Sequence, residues 1–207
     1  MKIYKDLVQG TDEWRAVRKG LITGTKLKDV FKANNLDLVD SLIAERISDE
    51  IEENYTNKAM ERGTELEPVA RAEYEKITGL KVEQIGFAVS NEFNFLGLSP
   101  DGLIKTSDDK YKIGLEIKCP NTSTHVRYIR MNSIPNEHKY QVLNYFLVCQ
   151  DLQVLDFVSY DDRFQIKPIH IIKVTREELQ TEIENAKAEL QKFWKKFEKY
   201  YNQVVFG

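Results

Sequence analysis

The hydrophobic period changes at Gly79, and that change constrains the fold more than any other feature of the chain. Before it, apolar residues recur three and four apart. After it, KVEQIGFAVS, FNFLGLS, GLIK and YKIGLEIKC alternate apolar with polar residues, as half-buried strands do. A last stretch from about Arg176 returns to the helical period through Leu179, Ile183, Ala186, Leu190, Phe193, Phe197, Tyr200 and Val204. Helices, then strands, then a helix predict an α/β fold with a mixed central sheet flanked by helices. At 207 residues and 42% hydrophobic the chain can bury one sizeable core. The expected organisation is a single domain over 1–207: a mainly helical part over 1–80, a sheet-rich core over 81–175 and a C-terminal helix over 176–207.

In QGTDEWRAVRKGLITGT, Thr11 or Asp12 caps a helix carrying Trp14 and Val17, Gly20 ends it, and Thr23 and Thr25 lie in the connection or cap the next helix. Leu36 to Met60 reads as a helix through Leu42, Ile43, Ile47, Ile51 and Tyr55. Arg62 to Gly79 reads as another, with Thr64 and Glu67 at capping-box spacing, Pro68 in the first turn and a buried stripe of Leu66, Ala70, Tyr74 and Ile77. Asn136 to Cys149 is predicted helical, followed by the strands VLDFVSYD and PIHIIKV.

The chemistry gathers in NFLGLSPDGLIKTSDDKYKIGLEIKCP, residues 94–120. Ser99-Pro100-Asp101-Gly102 favours a turn that places Asp101 at the mouth of a hairpin. On the returning strand Tyr111, Ile113, Leu115 and Ile117 face one way and Lys112, Gly114, Glu116 and Lys118 the other. Pro120 ends the strand just beyond Lys118, so Glu116 and Lys118 stand at the rim. A turn alone requires only Pro-Asp-Gly, and an exposed strand accommodates Glu-x-Lys. Together they supply two carboxylates and an ammonium, which is what metal-dependent cleavage of a phosphodiester needs.

Other features narrow the class. No apolar run approaches the ~20 residues of a membrane span, and the N-terminus carries charges where a signal peptide needs its apolar segment. A cytoplasmic location is expected. Cys119 and Cys149 lack CxxC spacing and neighbouring histidines, which argues against zinc or iron–sulfur. A net charge of -3 argues against nonspecific coating of nucleic acid but leaves room for a basic cleft.

Pro-Asp followed by Glu-x-Lys resembles the PD-(D/E)xK nuclease superfamily, and the wider match resembles its phage lambda exonuclease or YqaJ-like recombinase branch. The match is carried by QGTDEWRAVRKGLITGT, RGTELEPVAR, SPDGL, LEIKCP and HKYQVLNYFLV, in that order. The resemblance implies a restriction-endonuclease-like core. It implies that Asp101, Glu116 and the main-chain carbonyl of Ile117 bind one or two Mg2+ ions, for which Mn2+ substitutes. It also implies that Lys118 assists the attacking water, that Glu67 is a further acid near the metal and that Gln141 lies beside the centre. Arg18, Thr25 and Ser99 fall where the family collects a 5' phosphate. The implied activity is 5'-to-3' digestion of linear double-stranded DNA, leaving 3' tails for recombination by strand annealing. A homotrimer and a single-strand annealing recombinase partner are implied as well. Three departures stand out: KLKDVFKANNLD is shorter and less basic than the corresponding loop of the lambda enzyme, Thr25 stands where serine is expected, and Thr124 stands where an arginine aligns, with Arg127 one turn on. The competing readings are a PD-(D/E)xK endonuclease or DNA end-processing nuclease, and a non-catalytic DNA-binding or assembly module.

Overall fold

The computed structural model describes residues 1–48 and 58–207. Strands β4 (Gly102–Lys105), β5 (Tyr111–Lys118), β6 (Val154–Tyr160) and β7 (Ile169–Thr175) form one sheet in that order. β4 and β5 are the expected antiparallel hairpin; β5 and β6 run parallel; β6 and β7 are antiparallel. A parallel pair requires a crossover, here α5 (Thr122–Met131) and α6 (Lys139–Val148). A second sheet, β1-β2-β3, is built from Lys2–Tyr4, Phe87–Val89 and Gly97–Leu98. The fold is thus the mixed α/β arrangement the sequence predicts.

The two faces of β5 meet different helices. Leu115 and Ile117 pack with Ala70 and Tyr74 of α4 (Lys58–Thr78), while the other face meets α6. The strand is covered on both sides, so Gly114 and Glu116 are buried. A Cβ at Gly114 would lie 2.9 Å from the Tyr145 ring, so glycine is what lets α6 approach the sheet there. α7 (Gln180–Phe206) buries Ile183, Ala186, Leu190, Phe193 and Phe197 in the main core, whereas Val204 is exposed.

The N-terminal helices differ from expectation in instructive ways. α1 (Asp12–Arg18) is capped by Thr11, whose hydroxyl accepts from Trp14 N, and α2 (Gly24–Val30) starts after Thr23. α3 (Leu36–Ile47) gives way to extended backbone at Ser48; Ile51 and Tyr55 lie outside the described residues. α4 already runs at Lys58, so Thr64 and Glu67 are interior positions and form no capping box. Thr64 bonds back to Met60 O, Glu67 pairs with Arg71, and Pro68 is tolerated within the helix. Arg62 ties this helix to the strand end beyond it: its guanidinium reaches Cys119 O, Pro120 O, Asp161 and Asp162. Ile77, assigned to the buried stripe, is exposed, and Arg71 is buried.

Candidate active site

Asp101 is held at three points by three elements. Its Oδ2 accepts from Ile117 N of β5 at 2.6 Å, its N–H donates to the Tyr145 hydroxyl of α6 at 3.1 Å, and its carbonyl accepts from Arg71 Nε of α4 at 3.1 Å. The Tyr145 hydroxyl donates in turn to Leu115 O at 2.7 Å. Since the N–H and C=O of one strand residue point to the same edge, the Ile117 carbonyl also turns toward Asp101, just before β4 begins. Glu116 stands beside it, its carboxylate 2.5 Å from Lys118 Nζ. Asp101 and Glu116 carboxylates and the Ile117 carbonyl therefore share one corner. Glu67 is adjacent but turned onto Arg71. Among the described residues no group of three or more histidine, cysteine or carboxylate side chains is arranged to hold a metal ion.

Charge at this corner is unbalanced. Asp101, Glu116 and Glu67 face Lys118 and Arg71. Burial, and then the Glu116 charge, push the Asp101 carboxyl well above its usual range; burial also raises Glu67. Burial alone would lower Lys118, but Glu116 and Asp101 outweigh it and raise its pKa. An excess of half-sequestered negative charge is what a bound cation relieves.

The cleft that opens from this corner has a volume of about 130 Å³ and is lined by Arg18, Thr23, Gly24, Thr25, Leu98, Ser99, Asp101, Glu116, Lys118, Gln141 and Tyr145. Seven of the sequence-nominated residues line it: Arg18, Thr25, Ser99, Asp101, Glu116, Lys118 and Gln141. Glu67 and the Ile117 side chain do not, the latter packing behind the strand. Arg18 Nη1 donates to Ser99 Oγ at 2.5 Å, and its guanidinium lies 3.8 Å from the centroid of the Trp14 ring. Burial lowers its pKa to about 10. Trp14 is itself fixed by Nε1 donating to Gly86 O at 3.1 Å, and Gln9 donates to Pro100 O at 3.2 Å, so the N-terminal segment grips the same turn that carries Asp101. Thr23 and Thr25 hydroxyls approach to 3.5 Å on the facing wall. Arg18 stands in the last turn of α1, but its guanidinium is committed to Ser99 and Trp14 in the cleft.

Tyr145, Arg71 and Trp14 are the site residues that sequence reasoning missed. Tyr145 follows Gln141 by one helical turn, and Arg71 and Trp14 stand inside the quoted motifs, which is the signal that could have found them. Thr124 and Arg127 lie on α5 outside the cleft; Arg127 pairs with Glu137 at 2.6 Å.

The YqaJ-like viral recombinase domain matches residues 13–151 of the chain. No curated protein matches it. Among solved structures, an alkaline exonuclease (LHK-Exo) from Laribacter hongkongensis is similar at 32% identity and a TM-score of 0.82, over 94% of this chain and 96% of that one. The same enzyme in complex with dAMP aligns at 33% identity and a TM-score of 0.80, with the same coverage of 94% and 96%. A phage-related exonuclease from Haemophilus somnus 129PT, at 16% identity and a TM-score of 0.55 over 89% of this chain and 95% of that one, shares the fold.

Proposed function

The chain belongs to the YqaJ-like viral recombinase family and is a nuclease, and on that premise we propose that it is a magnesium-dependent exonuclease digesting linear double-stranded DNA from 5' ends. The observation that carries the reading is the Ser99-Pro100-Asp101 turn. Within three residues it joins an anion clamp, Arg18 on Ser99 with Thr23 and Thr25 opposite, to the carboxylate corner of Asp101 and Glu116. A terminal phosphate seated on the clamp sets the register of the next phosphodiester against the carboxylates, and only a strand end can fill such a pocket. The dAMP complex of LHK-Exo supports a deoxynucleoside monophosphate as product.

The donor set fits a hard cation: two carboxylates and a carbonyl, all oxygen, beside a charge excess. Asp101, Glu116 and the Ile117 carbonyl would hold Mg2+, or Mn2+ in its place, with Glu67 as a further acid where a second ion is used. When bound, the ion supplies Lewis-acid charge at the phosphorus and lowers the pKa of water. The chain's own residues do the rest. Ile117 N and Tyr145 keep Asp101 from swinging away, and Lys118 offers a positive charge and N–H donors where phosphoryl oxygens gain charge. Gln141, opposite Gly24, orients the scissile group from the far wall. Arg18 is bidentate by nature and already desolvated, apt for a phosphate monoester.

The same reading makes the working form a homotrimeric ring in the cytoplasm, whose 3' tails pass to a single-strand annealing recombinase. The test is nucleotide release, with and without Mg2+, from linear duplex bearing 5' phosphates, set against closed circular DNA. Release is expected from linear duplex alone and is lost in Asp101→Ala and Lys118→Ala. Equal cutting of circles, or full activity in Asp101→Ala, overturns the proposal.

A further inference from the structure

We infer that Glu45 and Arg46 of α3, with α7 behind them, set the terminal-phosphate preference of the cleft by fixing the Gly20 peptide. Neither residue lines the cleft. Gly20 lies between Arg18 and the Thr23–Thr25 wall, and both of its backbone polar groups are taken by this neighbouring pair. Its N–H donates to Glu45 Oε2 at 3.0 Å, and its carbonyl accepts from Arg46 Nε and Nη2 at 3.1 and 3.0 Å. Its φ of +68° is one that only glycine adopts at low cost, and a Cβ there would stand 2.5 Å from Arg46 Cγ.

The clamp is itself supported. Arg46's guanidinium lies 4.9 Å from the ring centroids of both Trp194 and Phe197 on α7, and Trp194 stacks on Phe95 with centroids 3.8 Å apart. Glu45's other oxygen pairs with Lys26 and accepts from Ser41 Oγ. Beyond Gly20 the linker is tied again, Ile22 N donating to Phe95 O at 2.8 Å and Gly97 N to Ile22 O at 2.9 Å. Arg18 and the threonines therefore keep their separation because the segment between them is fastened to α3 and to the small sheet. The spacing of an anion clamp decides whether it closes on a phosphate monoester, so Arg46 is a positioning residue for specificity.

The inference rests on the reading of the cleft as a terminal-phosphate site, and the experiment separates the two. It measures kcat/KM on 5'-phosphorylated and 5'-hydroxyl linear duplex for the parent, Arg18→Ala, Arg46→Ala, Arg46→Lys, Trp194→Leu and the Arg18→Ala/Arg46→Ala pair. Arg46→Ala is expected to lose roughly tenfold or more of the phosphate preference while its rate on hydroxyl ends stays near the parent's. Arg46→Lys, keeping one donor to Gly20 O, restores part of it, and the double variant falls no further than Arg18→Ala. A merely structural role lowers both substrates alike and leaves the ratio intact; that result, or an intact ratio in Trp194→Leu should Arg46→Ala not fold, overturns the inference. A parent without phosphate preference, or an Arg18→Ala variant that keeps it, overturns instead the reading of the cleft.

Discussion

Tyr145 satisfies two backbone groups with one hydroxyl, accepting from Asp101 N and donating to Leu115 O. Tyr145→Phe keeps the ring and strands both groups, a loss of about 1–3 kcal/mol by denaturant unfolding. Because Asp101 is then held at two points instead of three, kcat is expected to fall more than KM rises; unchanged stability and kcat would refute the assignment. A second positioning chain leads away from Gln141. His138 Nδ1 lies 2.9 Å from Gln141 Oε1, and Nε2 lies 3.1 Å from the Tyr128 hydroxyl. Burial lowers the His138 pKa, which favours the neutral ring. With Nδ1–H donating to the amide oxygen and Nε2 accepting from the Tyr128 hydroxyl, the Gln141 NH2 is the group that the proposed reading offers to phosphate. His138→Ala should therefore lower kcat about 3–10-fold, the worth of one hydrogen bond, and cost nothing further in a Gln141→Ala background; an additive double variant would break the link. Asp101, Glu116 and Lys118 were legible because hairpin spacing and strand alternation are local. Tyr145 and Arg71 were not, because their partners lie 44 and 30 residues away and nothing local demands them.

At the scale of elements, α4 shows how a local signal misleads. Thr64 and Glu67 have the spacing of a capping box, yet the helix already runs from Lys58 and passes through both, Thr64 bonding back to Met60 O and Glu67 pairing with Arg71. α5 escaped notice for the opposite reason: it is short and polar, and only His125 and Tyr128 are buried. His125 holds it, with Nδ1 2.7 Å from Ser159 Oγ and Nε2 2.9 Å from Lys167 O. Asp161 fastens these elements to one another, accepting from Arg62 on α4, Thr122 on α5, and Arg163 in the β6–β7 turn. Burial alone would raise its carboxyl, but the hydrogen bonds from Arg163 and Thr122 outweigh it and bring the pKa down to about 2. The folded value lies below the unfolded value of ~3.9, so the stabilisation is present above that value and is lost as pH falls through about 2. Acid titration of stability should accordingly be steeper in the parent than in Asp161→Asn between about pH 4 and pH 2, and Asp161→Asn should be less stable at neutral pH. Parallel acid profiles would remove Asp161 from this role.

For the whole molecule, charge and shape pose one problem together. The net charge is -3, yet the substrate is a polyanion. Three lysines of α7 are engaged within the chain. Lys187 pairs with Glu92, Lys192 with Glu189, and Lys196 donates to Asn35. Elsewhere Lys5, Lys32, Lys76, Lys105, Lys110 and Lys112 each face a carboxylate. What the sequence could not disclose is this pairing, since partners such as Lys187 and Glu92 are brought together only by the fold. On the proposed reading the contacts to DNA phosphate come from the cleft, through Arg18 and Lys118. If those few phosphate contacts carry the binding, the proposed ring would be what keeps hold of the substrate, by enclosing it. The slope of log KM for duplex ends against log salt should correspond to roughly one to three phosphate contacts at ~0.9 each. The measurement is KM across a salt series at fixed Mg2+ and fixed oligomeric state. A slope equivalent to six or more contacts would mean that a cationic surface outside the cleft carries the DNA, and the enclosure argument would fall with it.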